Sequence, residues 1–237
     1  MTGLAWRLFA FFGLTVTACT GSVVGFEGEV DADELSDGGE RRVDGGEVSD
    51  GASPLDAEVG PSPYAFHPRE AWQLEEQPIR GPQMDLLALR YITLHYNGDT
   101  RNLDGDYAEV LRAMQNSWVT GRDYSLGYNS GIAPNGDEWE IRGLDYRSAA
   151  NGCQEVNVPS YAIQITVPNP EAPPTDAQIE GARQAIARVR AAAAAAGNEH
   201  TLYLNGHGEV RPLCGIGGTS CPGEPIRELI ASDALEP

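Results

Sequence analysis

Between Phe26 and Gly60 the chain carries twelve acidic residues against only Arg41 and Arg42, with many glycines and few large apolar side chains. A stretch so charged cannot bury enough apolar surface to offset the entropy of ordering itself, and its like charges repel one another. A compact fold must therefore be built from the residues beyond Gly60. From Pro63 onward apolar side chains return at regular spacing, and residues 63–237 suit one ordinary domain.

The residues before the acidic stretch have a different character. Met1 to Ala18 holds one charge, Arg7, then the apolar run from Leu8 to Val16, then small residues up to Cys19. A bilayer-crossing helix needs about 20 apolar residues, so this run reads as a secretory signal and not as a span. Val16-Thr17-Ala18-Cys19 resembles a bacterial lipobox, which implies cleavage before Cys19 and attachment of lipid to it. The plainer alternative is an ordinary secretory signal with an incidental cysteine. The organisation expected is a lipoprotein signal peptide at 1–18, an anchor cysteine with an acidic disordered linker at 19–62, and a folded domain at 63–237. As a random coil, the linker would hold the domain roughly 35 Å from the membrane on average. Thr20 after the anchor, in place of Asp, resembles envelope lipoproteins of the outer membrane and implies a periplasm-facing location there.

The net charge of −19 excludes partners that need a basic face, nucleic acid above all. All sixteen basic residues are arginine. With no lysine, Schiff-base, Ser-Lys and P-loop chemistries are excluded as well. Setting Cys19 aside leaves Cys153, Cys214 and Cys221, an odd number for an oxidising compartment. One of the three needs another role, and metal ligation is a candidate.

Within the domain, Leu89 to Tyr96 is an apolar, β-rich run that predicts a central strand with His95 near its end. Tyr107, Val110, Leu111, Met114 and Trp118 share a helical face, predicting a helix over Asp104–Trp118 with Asp104 or Asp106 as its cap. Tyr124–Ala133 and Glu138–Arg142 read as strands joined by a turn at Asn135-Gly136, and Ser160–Val167 as another strand. Thr175-Asp176-Ala177-Gln178 has capping-box form and opens an Ala-rich helix that stops at Gly197. A last strand is expected at Leu202–Leu204 and a short helix at Pro225–Ala231. Strands interleaved with helices imply an α/β single domain with a central mixed sheet flanked by helices.

On spacing alone, His95, His207 and Cys221 could be three ligands of a catalytic zinc with a fourth position open. Equally, they could be two satisfied histidines and a stray thiol, since lone His and Cys are usually structural. No HExxH helix and no CxxC pair is present.

Several short segments then fall in one order. Arg69-Glu70-Ala71-Trp72 opens the domain, the strand ending at His95 follows, and Gly127-Tyr128-Asn129 precedes the hairpin from Asn135 to Gly143. After them come Asn157 to Ile163, Pro174 to Gln178, Gly206-His207 and Thr219-Ser220-Cys221-Pro222-Gly223. Together they resemble the peptidoglycan-recognition and type-2 N-acetylmuramoyl-L-alanine amidase family along nearly the whole domain.

The resemblance implies Zn²⁺ on His95, His207 and Cys221, with Tyr128 and Thr219 as catalytic donors to the developing oxyanion. It implies hydrolysis of the amide between glycan and stem peptide of peptidoglycan by a monomeric enzyme. Some members recognise peptidoglycan without cutting it, so a non-catalytic binding lipoprotein is the alternative; a purely structural envelope tether is a further one. Glu140 and Glu209 are acids near the motifs that could pass a proton to the leaving amine. With Cys221 on the metal, and the loops of the other two cysteines brought to the end of the sheet that carries His207, a Cys153–Cys214 disulfide is expected. Unpaired thiols or a Cys214–Cys221 link are the alternatives. Two departures stand out. The family's Gly-Ala-His-Ala is Ser148-Ala149-Ala150-Asn151 here, and the loop from His207 to Cys221 is longer, with Pro212 to Gly218 as the extra segment.

Overall fold

The parallel pairing of three strands sets the frame. In a computed structural model describing residues 64–97, 106–122 and 124–237, β2 (Tyr91–Tyr96) lies between β5 (Ser160–Ile165) and β6 (Tyr203–Gly206), parallel to both. On the far side of β5 come β3 (Ser130–Ile132), antiparallel β4 (Glu138–Glu140) and the two-residue edge β1 (Phe66–His67), giving the order β1-β4-β3-β5-β2-β6. The signal segment, Cys19 and the acidic linker lie outside the described residues. Among the described residues no helix is long and apolar enough to cross a membrane.

Strand alternation divides the two faces. Ile92 and Leu94 of β2 and Tyr161, Ile163 and Ile165 of β5 point into one core. It is closed by α3 (Asp176–Ala195) and α5 (Glu224–Ala231), through Ala182, Ala185, Ile186, Val189 and Ile226. The small alanines let α3 lie close to the sheet. Ala162 of β5 turns the other way, toward Trp72, Leu126, Tyr128, Ile141 and the helix α1 (Tyr107–Arg122), which buries Tyr107, Val110 and Leu111. The result is an α/β domain with helices on both faces of a mixed six-stranded sheet.

Local chemistry sets most boundaries. Asp106 caps α1, its carboxylate accepting the Ala108 N–H at 2.9 Å, and the helix runs four residues past the expected Trp118. Thr175 and Gln178 form the reciprocal capping box of α3. The chain leaves that helix through Gly197 at φ +90°. In the hairpin, Gly136 takes φ +90° and a Cβ there would meet the Ala177 carbonyl at 2.3 Å, so the turn seats directly on the start of α3.

The ladder of β3 is shorter than the run Tyr124–Ala133 suggests. The Arg142 guanidinium takes the carbonyls of Ser125 and Leu126 at 3.0 and 2.7 Å, which removes them from strand pairing. Two four-residue helices were not foreseen: α2 (Gln154–Asn157) and α4 (His207–Val210), the latter beginning on the histidine expected at a strand end.

Candidate functional site

Strand register brings the two histidines together. Leu94 of β2 pairs with Gly206 of β6, so the next residues, His95 and His207, emerge side by side where parallel strands end. Their ring centroids are 4.6 Å apart, and both residues are fully buried. Cys221 reaches the same point from the loop before α5. That loop folds back on the β6–α4 turn, where the Gly208 N–H donates to the Cys221 carbonyl at 2.7 Å. Only glycine fits this close approach: a Cβ on Gly206 would meet Pro222 Cδ at 2.6 Å, and one on Gly208 the Thr219 carbonyl at 2.7 Å. The Gly206-His207 and Thr219-to-Gly223 motifs are thus two sides of one contact. One ligand atom from each of His95, His207 and Cys221 lies within 4.8 Å of the others.

The surroundings set the protonation of these side chains. Asn151 Oδ1 lies 2.9 Å from His95 Nε2, so that nitrogen carries the proton and the lone pair sits on Nδ1. Nδ1 faces Cys221 Sγ at 3.7 Å. Both ring nitrogens of His207 are buried without a hydrogen-bond partner, an arrangement costly for a polar group unless something else binds it. Burial first, and then the neighbouring His207, hold His95 well below the usual histidine range. Burial and the nearby Arg211 push His207 down to about 4. Both rings are therefore neutral and able to donate lone pairs at neutral pH. Two imidazoles and a thiolate suit Zn²⁺ in kind and number.

Tyr128 stands edge-on to His95 with ring centroids 5.1 Å apart, backed by Trp118 at 5.8 Å. Its neighbour Asn129 ties three segments together, donating to the Gly143 and Tyr146 carbonyls and accepting from the Ala162 N–H. Thr219 is half-buried, and its hydroxyl accepts the Cys221 N–H at 3.3 Å. The two acids near the motifs have structural partners. Glu209 accepts the Gly206 N–H as a cap, and Glu140 holds the Arg69 backbone and guanidinium. Cys153 and Cys214 are joined in a disulfide with Cα atoms 5.6 Å apart, and Cys221 is a buried thiol outside that bridge. Asn151 escaped sequence reasoning: it lies where the chain departs from the family's pattern, and only its position beside His95 reveals it.

The family profile described as N-acetylmuramoyl-L-alanine amidase matches residues 85–224, more than half of the sequence. The chain belongs to that family. No curated protein sequence matches it. Among solved structures, human PGRP-IβC in complex with glycosamyl muramyl pentapeptide is similar at a TM-score of 0.59 and 19% identity, over 71% of this chain and 95% of that one. Drosophila PGRP-LB is similar at 0.54 and 21%, over 70% and 92%. Peptidoglycan recognition protein LE bound to tracheal cytotoxin, a monomeric diaminopimelic acid-type peptidoglycan, is similar at 0.55 and 19%, over 73% and 94%. At these identities the likeness establishes the fold, which this amidase-family chain shares with the peptidoglycan recognition proteins.

Proposed function

We propose that the chain is a zinc-dependent N-acetylmuramoyl-L-alanine amidase that hydrolyses the amide between the muramic acid lactyl group and L-Ala of peptidoglycan. The observation that carries this reading is the convergence of His95, His207 and Cys221 at the end of the parallel strands, in a chain of an amidase family. Fold likeness to a recognition protein bound to a muramyl pentapeptide supports peptidoglycan as the ligand. We place the protein in the outer membrane, facing the periplasm, with lipid on Cys19 as its only membrane attachment, and read it as a monomer.

Held by these residues, Zn²⁺ would polarise the lactyl carbonyl and activate water for attack. His95 contributes Nδ1 because Asn151 holds the proton on Nε2. Cys221 as thiolate would supply the one negative charge of the set, leaving a bound Zn²⁺ with a net positive charge. Tyr128, edge-on to His95, is assigned the donor to the oxyanion that develops on that carbonyl, a contribution of about 3 to 4 kcal/mol. Thr219 is the second donor, and its bond to the Cys221 N–H orients the loop that presents the thiolate.

The test is mass spectrometry of defined muropeptides after incubation with purified protein and zinc, alongside metal analysis. Wild type and Tyr128→Phe should each hold about one zinc, and only wild type should release the stem peptide. Cys221→Ser should lose both metal and turnover. Cleavage by Cys221→Ser, or cleavage that survives chelation, overturns the proposal; zinc-free binding without cleavage in the wild type would make the chain a recognition module.

A further inference from the structure

The rotation of the Tyr128 ring is not set by its own backbone. Main-chain bonds hold the segment: the Gly127 carbonyl accepts the Ala149 N–H at 2.8 Å, and the Tyr128 carbonyl accepts the Arg142 N–H at 3.2 Å. Neither bond fixes the side-chain torsions, so the ring stands where its neighbours put it. Two rings meet it edge-on. His95 does so at 5.1 Å between centroids and 66° between planes, and Trp118 at 5.8 Å and 61°. Tyr128 itself is only 6% exposed.

Trp118 is held by three further contacts. The helix α1 continues four residues past it to Arg122, and that extra turn lays the Arg122 guanidinium over the indole, 4.4 Å from its centroid. Tyr124 meets the indole perpendicularly, with ring centroids 5.4 Å apart. Gly127, the residue before Tyr128, leaves room for the ring: a Cβ there would meet indole carbons at 2.7 and 2.8 Å. Trp118 also differs from the rest of the apolar stripe of α1. Tyr107, Val110 and Leu111 are buried, whereas Trp118 is half-buried and shared among a cation and two tyrosines. A flat aromatic side chain meets all three at once, and an aliphatic one does not.

We infer that Trp118 is a positioning residue: clamped by Arg122 and Tyr124, it fixes the rotation of the Tyr128 ring against His95, and with it the place of the phenolic hydroxyl during the reaction. The inference rests on the amidase reading for the reaction, and on the ring contacts alone for the orientation. A donor to a developing oxyanion acts at full strength only when it is held in place beforehand. A displacement of about 1 Å can cost a factor of about 100 in rate. Trp118 is outside the cluster of His95, His207 and Cys221, so its loss should spare metal affinity.

The test compares full-length Trp118→Leu and Trp118→Phe with wild type on defined muropeptides. Trp118→Leu should lower kcat by about tenfold to a hundredfold, with KM and zinc affinity within about twofold of wild type. Trp118→Phe keeps an aromatic edge against Tyr128 and should recover most of that loss, to within about threefold of wild type. Leucine fills space nearly as well as phenylalanine, so a merely space-filling role would not separate the two. A second readout needs no turnover. In metal-free protein with labelled histidine and tyrosine, nuclear Overhauser contacts between the Tyr128 and His95 rings should be present in wild type and Trp118→Phe and weakened in Trp118→Leu. Should Trp118→Leu fail to fold, Arg122→Gln removes the cation from an exposed position and should lower kcat about twofold to fivefold at unchanged KM; wild-type kcat in that variant then overturns the inference. Wild-type kcat in folded Trp118→Leu, a loss confined to KM, or undisturbed contacts between Tyr128 and His95 overturns the positioning role and leaves the amidase reading standing. No cleavage by wild type removes the amidase reading, and the nuclear Overhauser contacts then decide the role of Trp118.

Discussion

Replacing Asn151 by leucine should weaken zinc binding by about tenfold to a hundredfold without unfolding the protein. Asn151 and His95 are both fully buried, so no water stands ready to replace the amide oxygen that accepts from His95 Nε2 at 2.9 Å. Leucine is close in volume and removes the acceptor. The ring then has two choices. It can keep the proton on Nε2, leaving a buried donor unsatisfied at a cost of about 1 to 3 kcal/mol. Or it can move the proton to Nδ1, the nitrogen that faces Cys221 Sγ, and lose the lone pair meant for the metal. Either cost weakens the metal-binding step, and about 1.4 kcal/mol corresponds to a factor of ten.

Aspartate at the same position accepts the same hydrogen bond and adds negative charge behind the imidazole, so Asn151→Asp should bind zinc at least as tightly as wild type. The backbone N–H of residue 151 donates to Asn157 in every variant, which preserves the loop. The assay is competition for zinc between metal-free protein and a chromogenic chelator, with circular dichroism to verify the fold. An affinity for Asn151→Leu within about twofold of wild type, in a natively folded protein, would show that His95 needs no such support.

Acid should destabilise the metal-free protein through its histidines. His207 is depressed to about 4 in the fold and His95 is held well below its ordinary value, so below about pH 6.5 the unfolded chain binds more protons and stability falls as pH falls. For His207 the loss is complete near pH 4 and is on the order of 3 kcal/mol. Denaturant titrations of chelated wild type and His207→Gln between pH 7.5 and 4 would check it, and identical slopes for the two would count against the assignment. Cys19→Ala should move the protein from the membrane fraction to the soluble one; membrane retention of that variant would refute the lipid anchor.

Where one residue's chemistry decides a local outcome, the sequence could be read directly. Asn135-Gly136 makes its turn because Gly136 accepts positive φ, and Thr175 with Gln178 satisfies the open end of α3 whatever surrounds it. The strand that carries His95 is an apolar run that only a sheet covered on both faces can bury. Features made by distant partners were not legible. The ladder of β3 stops short because a guanidinium from the following hairpin takes two of its carbonyls, and nothing in Tyr124–Ala133 announces that. The helices α2 and α4 are four residues long, too short to show a helical period.

The cluster of His95, His207 and Cys221 shows where that boundary falls. On spacing, His95, His207 and Cys221 were as readily two buried histidines and a stray thiol as a ligand set. What brings the histidines together is the pairing of Leu94 with Gly206, a register between strands more than a hundred residues apart in the chain. Family motifs carry that register implicitly, so resemblance could group these three residues where periodicity could not. The same dependence explains what resemblance missed. Asn151 and the segment after His207 are the places where the chain departs from its family, and there a motif can report only a mismatch. Their roles lie in contacts: an amide oxygen on His95, and a disulfide-linked wall that brings Arg211 into one cleft with Arg80 and Arg147. Both departures border the cluster of His95, His207 and Cys221.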